Sequence, residues 1–305
     1  MRIGKGTLRA AFDIASEKGT TSRKEISSAL GISMVAAHAA VDALVEARLL
    51  SVEKDSPQST SSRGRKSDGV MISREKLCLV IDLCKKNINF AISPLYNRIN
   101  SFEIIPYSDM LDIEVNLDIA ASEIKRFIER NNAQPSFVAL AIPDFDSNFS
   151  IKDCTTALAK VGLVPDLIVS GATAASEFCS SISNDRFAFV TIDNRVWGCS
   201  FAEPGRMIPW ESIKVGAHHG ESFASVLHYE TDEQKLCIYA NRFVNTIDAV
   251  LSPDKIFITA TALPDAVMKK LRENEKVVDL SADTPVLNGL LRLSRNEIFN
   301  RSFNN

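Results

Sequence analysis

The chain has 305 residues, 45% of them hydrophobic and 24% charged, with a net charge of −3; this supports a substantial core in two or three compact units and excludes a disordered or fibrous protein. No stretch approaches the ~20 apolar residues of a membrane helix and no basic start precedes an apolar run, so a cytoplasmic protein with no membrane partner is expected. Residues 1 to 72 hold 11 Lys+Arg against 8 Asp+Glu and the remainder 24 against 30, a mildly basic head on an acidic body, which suits a nucleic-acid reader.

Three helical patterns come first. Residues 7 to 17 set Leu8, Ala11, Phe12 and Ala15 at i, i+3, i+4, i+7, an amphipathic helix that Gly19 stops. A second starts at Ser22, with Glu25 three residues on to complete a capping box ahead of Ile26 and Leu30. Gly31 supplies the tight turn, and Ser33 caps a third helix running to about Ala47, whose Val41, Leu44 and Val45 face inward while Met34, Ala37 and His38 point away. Residues 49 to 53 alternate as a strand, the polar run Asp55 to Gly69 follows, and Val70-Met71-Ile72 returns. Two short strands around a basic, Ser-rich loop make a wing.

Helix, helix, glycine turn, helix and basic hairpin is the layout in which the third helix enters the major groove while the hairpin reaches the minor groove of a double-stranded DNA operator. The wing tip Arg63-Gly64-Arg65-Lys66 carries the binding energy in this reading, because a narrow minor groove attracts arginine and the glycine lets the backbone approach. Ser22, Arg23 and Lys24 can hold a phosphate at the start of the second helix. The outward face of the third helix, from Ser33 through Met34, Ala36, Ala37, His38, Ala39 and Ala40, offers almost no bidentate donor, so direct base readout is expected to be poor.

After a linker at 73 to 76 the expected order is strands at 77–83, 87–93 and 98–105, helix 116–131, strands 136–142 and 166–170, and helix 172–182. A similar series follows, with strands near 187–193, 197–203 and 206–213, helix 233–250, strand 255–260, helix 264–273, strand 276–280 and helix 286–300. Two hairpin-rich sheets, each completed by crossover helices, describe a duplicated α/β architecture. The six cysteines (Cys78, Cys84, Cys154, Cys179, Cys199, Cys237) have no C-x2-C spacing and read as reduced core residues, with neither a metal nor a cofactor expected.

The stretch Ser22-Arg23-Lys24-Glu25-Ile26-Ser27 through Gly31-Ile32-Ser33, with the wing Arg63-Gly64-Arg65-Lys66, resembles the head of repressors in the ROK family, whose name joins repressors, open reading frames and kinases. Ala36 and Ala39 stand where that family's recognition helix has Thr and Arg. The rest of the chain is similar to the family's actin-like, ribonuclease-H-like domain. The resemblance thus implies a winged helix-turn-helix (1–72) followed by a duplicated α/β actin-like ATPase fold with halves at 77–183 and 184–305.

The kinase motifs are eroded. The family's D-x-G-G-T phosphate hairpin falls at Asp82-Leu83-Cys84-Lys85-Lys86, without the glycines that let amides approach phosphates. The second phosphate loop falls at Asp193-Asn194-Arg195-Val196-Trp197-Gly198-Cys199, and Gly171 stands where the catalytic aspartate would be, leaving no general base. Of the sugar-gripping motif, Gly220-Glu221 remains, with Ala224 for histidine, and the zinc loop is missing. A non-enzymatic regulator follows, most simply a repressor, dimeric or of higher order through the body, which can also sense a sugar-like effector. Candidates for that effector site are Asp82, Asp144, His218, His219 and Glu221. An ATP-dependent sugar kinase and an interaction module without DNA binding are the alternatives.

Overall fold

The computed structural model describes residues 3–53, 69–84, 87–108, 110–142, 150–193, 196–203, 206–208, 217–218, 221–222, 232–260 and 263–303. The head opens with α1 (Lys5–Lys18), which buries Leu8, Ala11, Phe12 and Ala15 and ends where Gly19, at φ 73°, returns its N–H to the Ala15 carbonyl. After β1 (Thr20–Thr21), α2 (Arg23–Leu30) starts from the anticipated capping box. The Ser22 hydroxyl accepts from the Glu25 N–H at 3.2 Å, and the Ser22 N–H donates to the Glu25 carboxylate at 2.8 Å. Gly31 takes the left-handed conformation at φ 62°, which glycine adopts without a Cβ penalty. Ser33 caps α3 (Met34–Glu46), and the α2–α3 pair is bent by 116°. Strands β2 (Leu50–Glu53) and β3 (Gly69–Ile72) pair antiparallel, and β1 adds on the far side of β3.

Two five-stranded sheets form the body. The first combines β4 (Leu77–Leu83), β5 (Asn87–Pro94), β6 (Glu103–Pro106), β7 (Pro135–Ile142) and β8 (Leu167–Ser170) in the order β6-β5-β4-β7-β8, with α4 (Ile113–Arg130), α5 (Ile151–Lys160) and α6 (Gly171–Ile182) between or after its strands. The second repeats the order as β11-β10-β9-β14-β15, from β9 (Phe187–Asp193), β10 (Val196–Glu203), β11 (Arg206–Ile208), β14 (Lys255–Ala260) and β15 (Val277–Asp279). A two-residue ladder, β12 (Ala217–His218) with β13 (Glu221–Ser222), precedes α7 (Glu233–Leu251); α8 (Asp265–Leu271) and α9 (Pro285–Phe303) complete the chain's described elements. In both sheets the first three strands are antiparallel and the last two join in parallel, so the duplication expected from the sequence is present. Among the described residues no single helix is long and apolar enough to cross a membrane.

Three departures from the sequence reading have physical causes. Helix α5 was not anticipated, although Ser150 caps it and Cys154, Ala157 and Leu158 make its buried face. Strand β6 is shorter than 98–105 because the Ile99 N–H is taken by the Asn288 side chain of α9 at 2.8 Å instead of by a neighbouring strand. The closing helix α9 also does not belong in space to the second half: Leu287, Leu290, Leu291 and Phe299 pack against Cys78, Val80, Phe137 and Ala139 of the first sheet. The opposite face of that sheet, through Leu79, Ile81 and Leu140, is covered by α4 and α5. The alternation along β4 sorts these two faces, as a strand of period two requires.

Helix α9 is also the dock for the head. Phe12 of α1 stacks on Phe299 with centroids 5.8 Å apart, and the Arg9 guanidinium lies 5.2 Å from the same ring centroid. Beside them Arg295, only 3% exposed, donates to the Ser16 hydroxyl at 2.7 Å and to the Asn97 side-chain oxygen at 3.1 Å, and pairs with Asp13 at 3.4 Å. Burial lowers the pKa of Arg295 to about 10, and Asp13 opposes that shift. Head and body therefore share one continuous core. Where α9 crosses α6 the backbones touch: a Cβ on Gly289 would lie 1.7 Å from the Ala174 carbonyl oxygen.

Candidate functional site

On the head, α2 and α3 set the candidate DNA residues on adjoining turns. Met34 is 43% and Val35 69% exposed at the start of α3, His38 lies one turn on, and Lys24 is exposed on α2. Ala37, expected to point outward, is fully buried with Ala40, Val41 and Leu44. The helix is rotated by one position from the sequence expectation, because positions 37, 40, 41 and 44 follow the i, i+3, i+4, i+7 pattern that closes the head's core. Val35, which sequence reasoning missed, takes the exposed place.

Two residues expected at a phosphate are already engaged within the head. The Ser22 hydroxyl is committed to the capping box with Glu25, and Arg23 pairs with Asp42 of α3 at 2.9 Å. Arg23 thus braces α2 against α3, and Lys24 is the exposed cation of that trio. Glu25 has its carboxyl pKa lowered: burial alone would raise it, but hydrogen bonds from Thr21 and Ser22 outweigh that. The wing residues Arg63, Gly64, Arg65 and Lys66 lie outside the described residues; the strands that flank them, β2 and β3, are paired in register from Glu53↔Gly69.

In the body, Asp82 sits at the carboxyl end of β4, between β5 and β7, where an open α/β sheet places its ligand. It is 8% exposed and tied into its own hairpin: the Cys84 thiol donates to it at 3.2 Å and the Asn89 amide at 3.4 Å. The hairpin closes with the Cys84 N–H on the Asn87 carbonyl at 3.0 Å. Tyr107 has its pKa raised, by burial first and then by the charges of Cys154, Cys84 and Asp82.

Gly171 begins α6, capped by the Ser170 hydroxyl, which accepts from the Thr173 N–H at 3.1 Å; the first turn of α6 contains no acidic residue. His218 and Glu221 are Cα partners in the β12–β13 ladder. Asp144 and His219 lie outside the described residues, so the expected effector cluster is not assembled among the described ones. Burial pushes the Cys78 thiol up to about 12 and Cys154 to about 11, and raises Cys179 as well, so these are core thiols and poor nucleophiles.

No protein-family model matches the chain, and neither does the sequence of any curated protein. Solved structures do share its fold. One described as a ROK family transcriptional regulator, a homolog of the E. coli MLC protein, superimposes with a TM-score of 0.60 at 13% identity, over 98% of this chain and 99% of that one. An inorganic polyphosphate/ATP-glucomannokinase from Arthrobacter sp. strain KM reaches 0.56 at 14% identity, over 73% of this chain and 98% of its own. The ethanolamine utilization protein EutJ from Carboxydothermus hydrogenoformans reaches 0.52 at 15% identity, over 71% of this chain and 89% of its own. The chain therefore has the actin-like ATPase fold of ROK family proteins, a likeness of structure at low identity that regulators and sugar kinases have in common.

Proposed function

We propose that this protein is a DNA-binding transcription regulator, most simply a repressor, in which residues 1–72 are a winged helix-turn-helix and the body is a non-catalytic scaffold for a homodimer or higher homo-oligomer. The observation that carries this reading is the α2–α3 pair, bent by 116° about Gly31 and followed by a hairpin whose connecting sequence holds Arg63, Arg65 and Lys66. Helix pairs at about 90–120° joined by a short glycine turn are the geometry that lays a second helix in the major groove. Coverage supports the same reading: the regulator structure spans the head as well as the body, whereas the glucomannokinase structure covers 73% of the chain.

The non-catalytic assignment rests on chemistry. Phosphoryl transfer needs amide-lined phosphate loops and a base at the acceptor hydroxyl. Here α6 begins without a carboxylate, and Asp82 is held by Cys84 and Asn89 in a hairpin that has lost its glycines. The shared fold favours one second reading, a sugar kinase, which a coupled ATP assay on hexoses and amino sugars tests. For the regulator, selection of genomic fragments by the purified protein, followed by gel shift, is the direct experiment. Specific retention of a limited set of fragments supports it, and uniform or absent retention overturns it.

A further inference from the structure

We propose that the cleft between the head and the first half of the body is a binding site for a small phosphorylated molecule. The cleft has a volume of about 660 Å³ and is walled by residues 16–20 and Met71 of the head, by Arg74 of the linker and by residues 96–98 and Asn100 of the body. That volume is in the ordinary range for metabolite sites. None of these wall residues is among the candidate DNA or effector residues.

The charge of the walls selects the ligand. Lys18, Arg74 and Arg98 line the cleft against a single acid, Glu17. Lys18 and Arg74 make no ion pair among the described residues. Arg98 reaches Asp283 at 3.4 Å through a side chain that is 62% exposed, a pair that exchanges readily with an incoming anion. With Asp283 counted against Arg98 the walls keep a surplus of one positive charge, which suits a phosphate ester, and arginine forks fit its oxygens.

The polar groups at the back of the cleft point the same way. The Asn97 side-chain oxygen accepts from Arg292 at 2.7 Å and from Arg295 at 3.1 Å. With its oxygen taken twice, the amide has only its NH2 donors left for a ligand. Arg295 itself is 3% exposed, and its guanidinium, paired with Asp13, holds Ser16 and Asn97 in place from behind. The wall therefore offers an anion an amide donor held in place beforehand, which lowers the ordering cost of binding, with exposed cations around it. The volume is that of a metabolite site, so a small molecule is the occupant it fits.

Because Lys18 belongs to the head, Arg74 to the linker and Arg98 and Asn97 to the body, an occupant bridges head and body and biases the head's angle; its effect on operator affinity rests on the DNA-binding reading. The test is calorimetry on the full chain without DNA, titrating glycerol 3-phosphate and, as control, glycerol at constant ionic strength. Saturable binding of the phosphate ester alone is expected. It should weaken about tenfold or more in Lys18→Ala with Arg74→Ala, the loss of a charge-assisted contact. The charge-matched change Lys125→Ala with Arg126→Ala on α4 should leave it unaltered. No saturable heat, equal heat from glycerol, or undiminished binding in the first double variant overturns the proposal, as does a loss in the α4 variant equal to that in the first. Competition by a short DNA duplex with equal sensitivity to Lys18 and Arg74 would assign these cations to DNA and also overturn it. Since the titration contains no operator, its failure speaks against the cleft, while failure of the gel shift speaks against the DNA reading.

Discussion

Replacing Gly289 with alanine tests the helix crossing on which the body's assembly depends. A Cβ there would stand 1.7 Å from the Ala174 carbonyl oxygen and 2.4 Å from its carbon. Both obstacles are backbone, so no rotamer change relieves them, and α6 and α9 must part by about 1.5 Å to reach an ordinary carbon–oxygen contact. Overpacking of this kind costs ~1–3 kcal/mol, sometimes more, and the parted helices lose dispersion contacts at Ala175, Phe178 and Leu290, all buried. Against this, alanine gains ~1 kcal/mol over glycine in helix propensity. With the cost at its upper end because both obstacles are backbone, the net expectation is a loss of about 2 kcal/mol, which at ~2–4 °C per kcal/mol lowers the melting temperature by roughly 4–8 °C. Scanning calorimetry or thermal fluorescence on Gly289→Ala gives the answer. An unchanged or higher melting temperature would mean that propensity governs and that the two backbones do not touch. Ala174→Gly should not rescue the variant, because the obstructing atom is a carbonyl.

The remaining expectations concern the head, the junction and the acid limit of stability. In fluorescence anisotropy on a selected operator, Arg63→Ala with Arg65→Ala should abolish detectable binding, whereas His38→Ala should cost no more than ~1 kcal/mol; the reverse order would refute the ranking of wing over helix. Arg295→Ala strips partners from Ser16, Asn97 and Asp13 at once and should cost ~3–5 kcal/mol, with α1 becoming accessible to limited proteolysis before the body does; simultaneous cleavage of both would show that the clamp is not local. For Asp279, burial alone would raise the pKa, but Arg272 and Ser281 lower it below the ordinary carboxylate range. A depressed folded pKa contributes stability above the unfolded value of ~3.9 and loses it as pH falls through the folded one. The difference between wild type and Asp279→Asn should therefore be present at neutral pH and shrink only in strong acid; a difference that does not vary with pH would remove the charge from the account. Millimolar ATP with magnesium should leave the melting temperature of the Lys18→Ala, Arg74→Ala protein unchanged, because neither phosphate-loop motif is intact in the sequence; an upward shift would restore the kinase reading.

Most of the head was legible because its signals are local. Ser22 with Glu25, Gly31 and Ser33 fix helix ends through bonds to neighbours three to five residues away, and each appears where the sequence placed it. The phase of α3 was not legible, since Ala36, Ala37, Ala39 and Ala40 present no polarity contrast and only packing against α1 decides which of them is buried. The strands of the body were readable from their apolar runs. The return of α9 to the first sheet was not, because periodicity reports which face is apolar and not which partner covers it. The junction cleft was hidden for a related reason: Arg295 lies on a helix at a position that a sequence scan counts as solvent-facing, and its partners Ser16 and Asn97 are 279 and 198 residues away. The candidate DNA residues were only partly legible, as Arg23 carries the motif's charge yet spends it on Asp42.

The docking of α1 on α9 has a kinetic side. The head is made first, and its local caps let it fold as soon as it leaves the ribosome, yet the Arg295 that receives Ser16 is translated 279 residues later. At ~5–20 residues per second this interval is roughly 15–55 s, long compared with the folding of a small helical unit. For that time the head is a folded module on a growing tether, with the ring of Phe12 lacking its stacking partner Phe299 and no cleft beneath it. The order of translation thus makes the head's attachment wait for α9, and premature termination anywhere before α9 would leave the head unanchored.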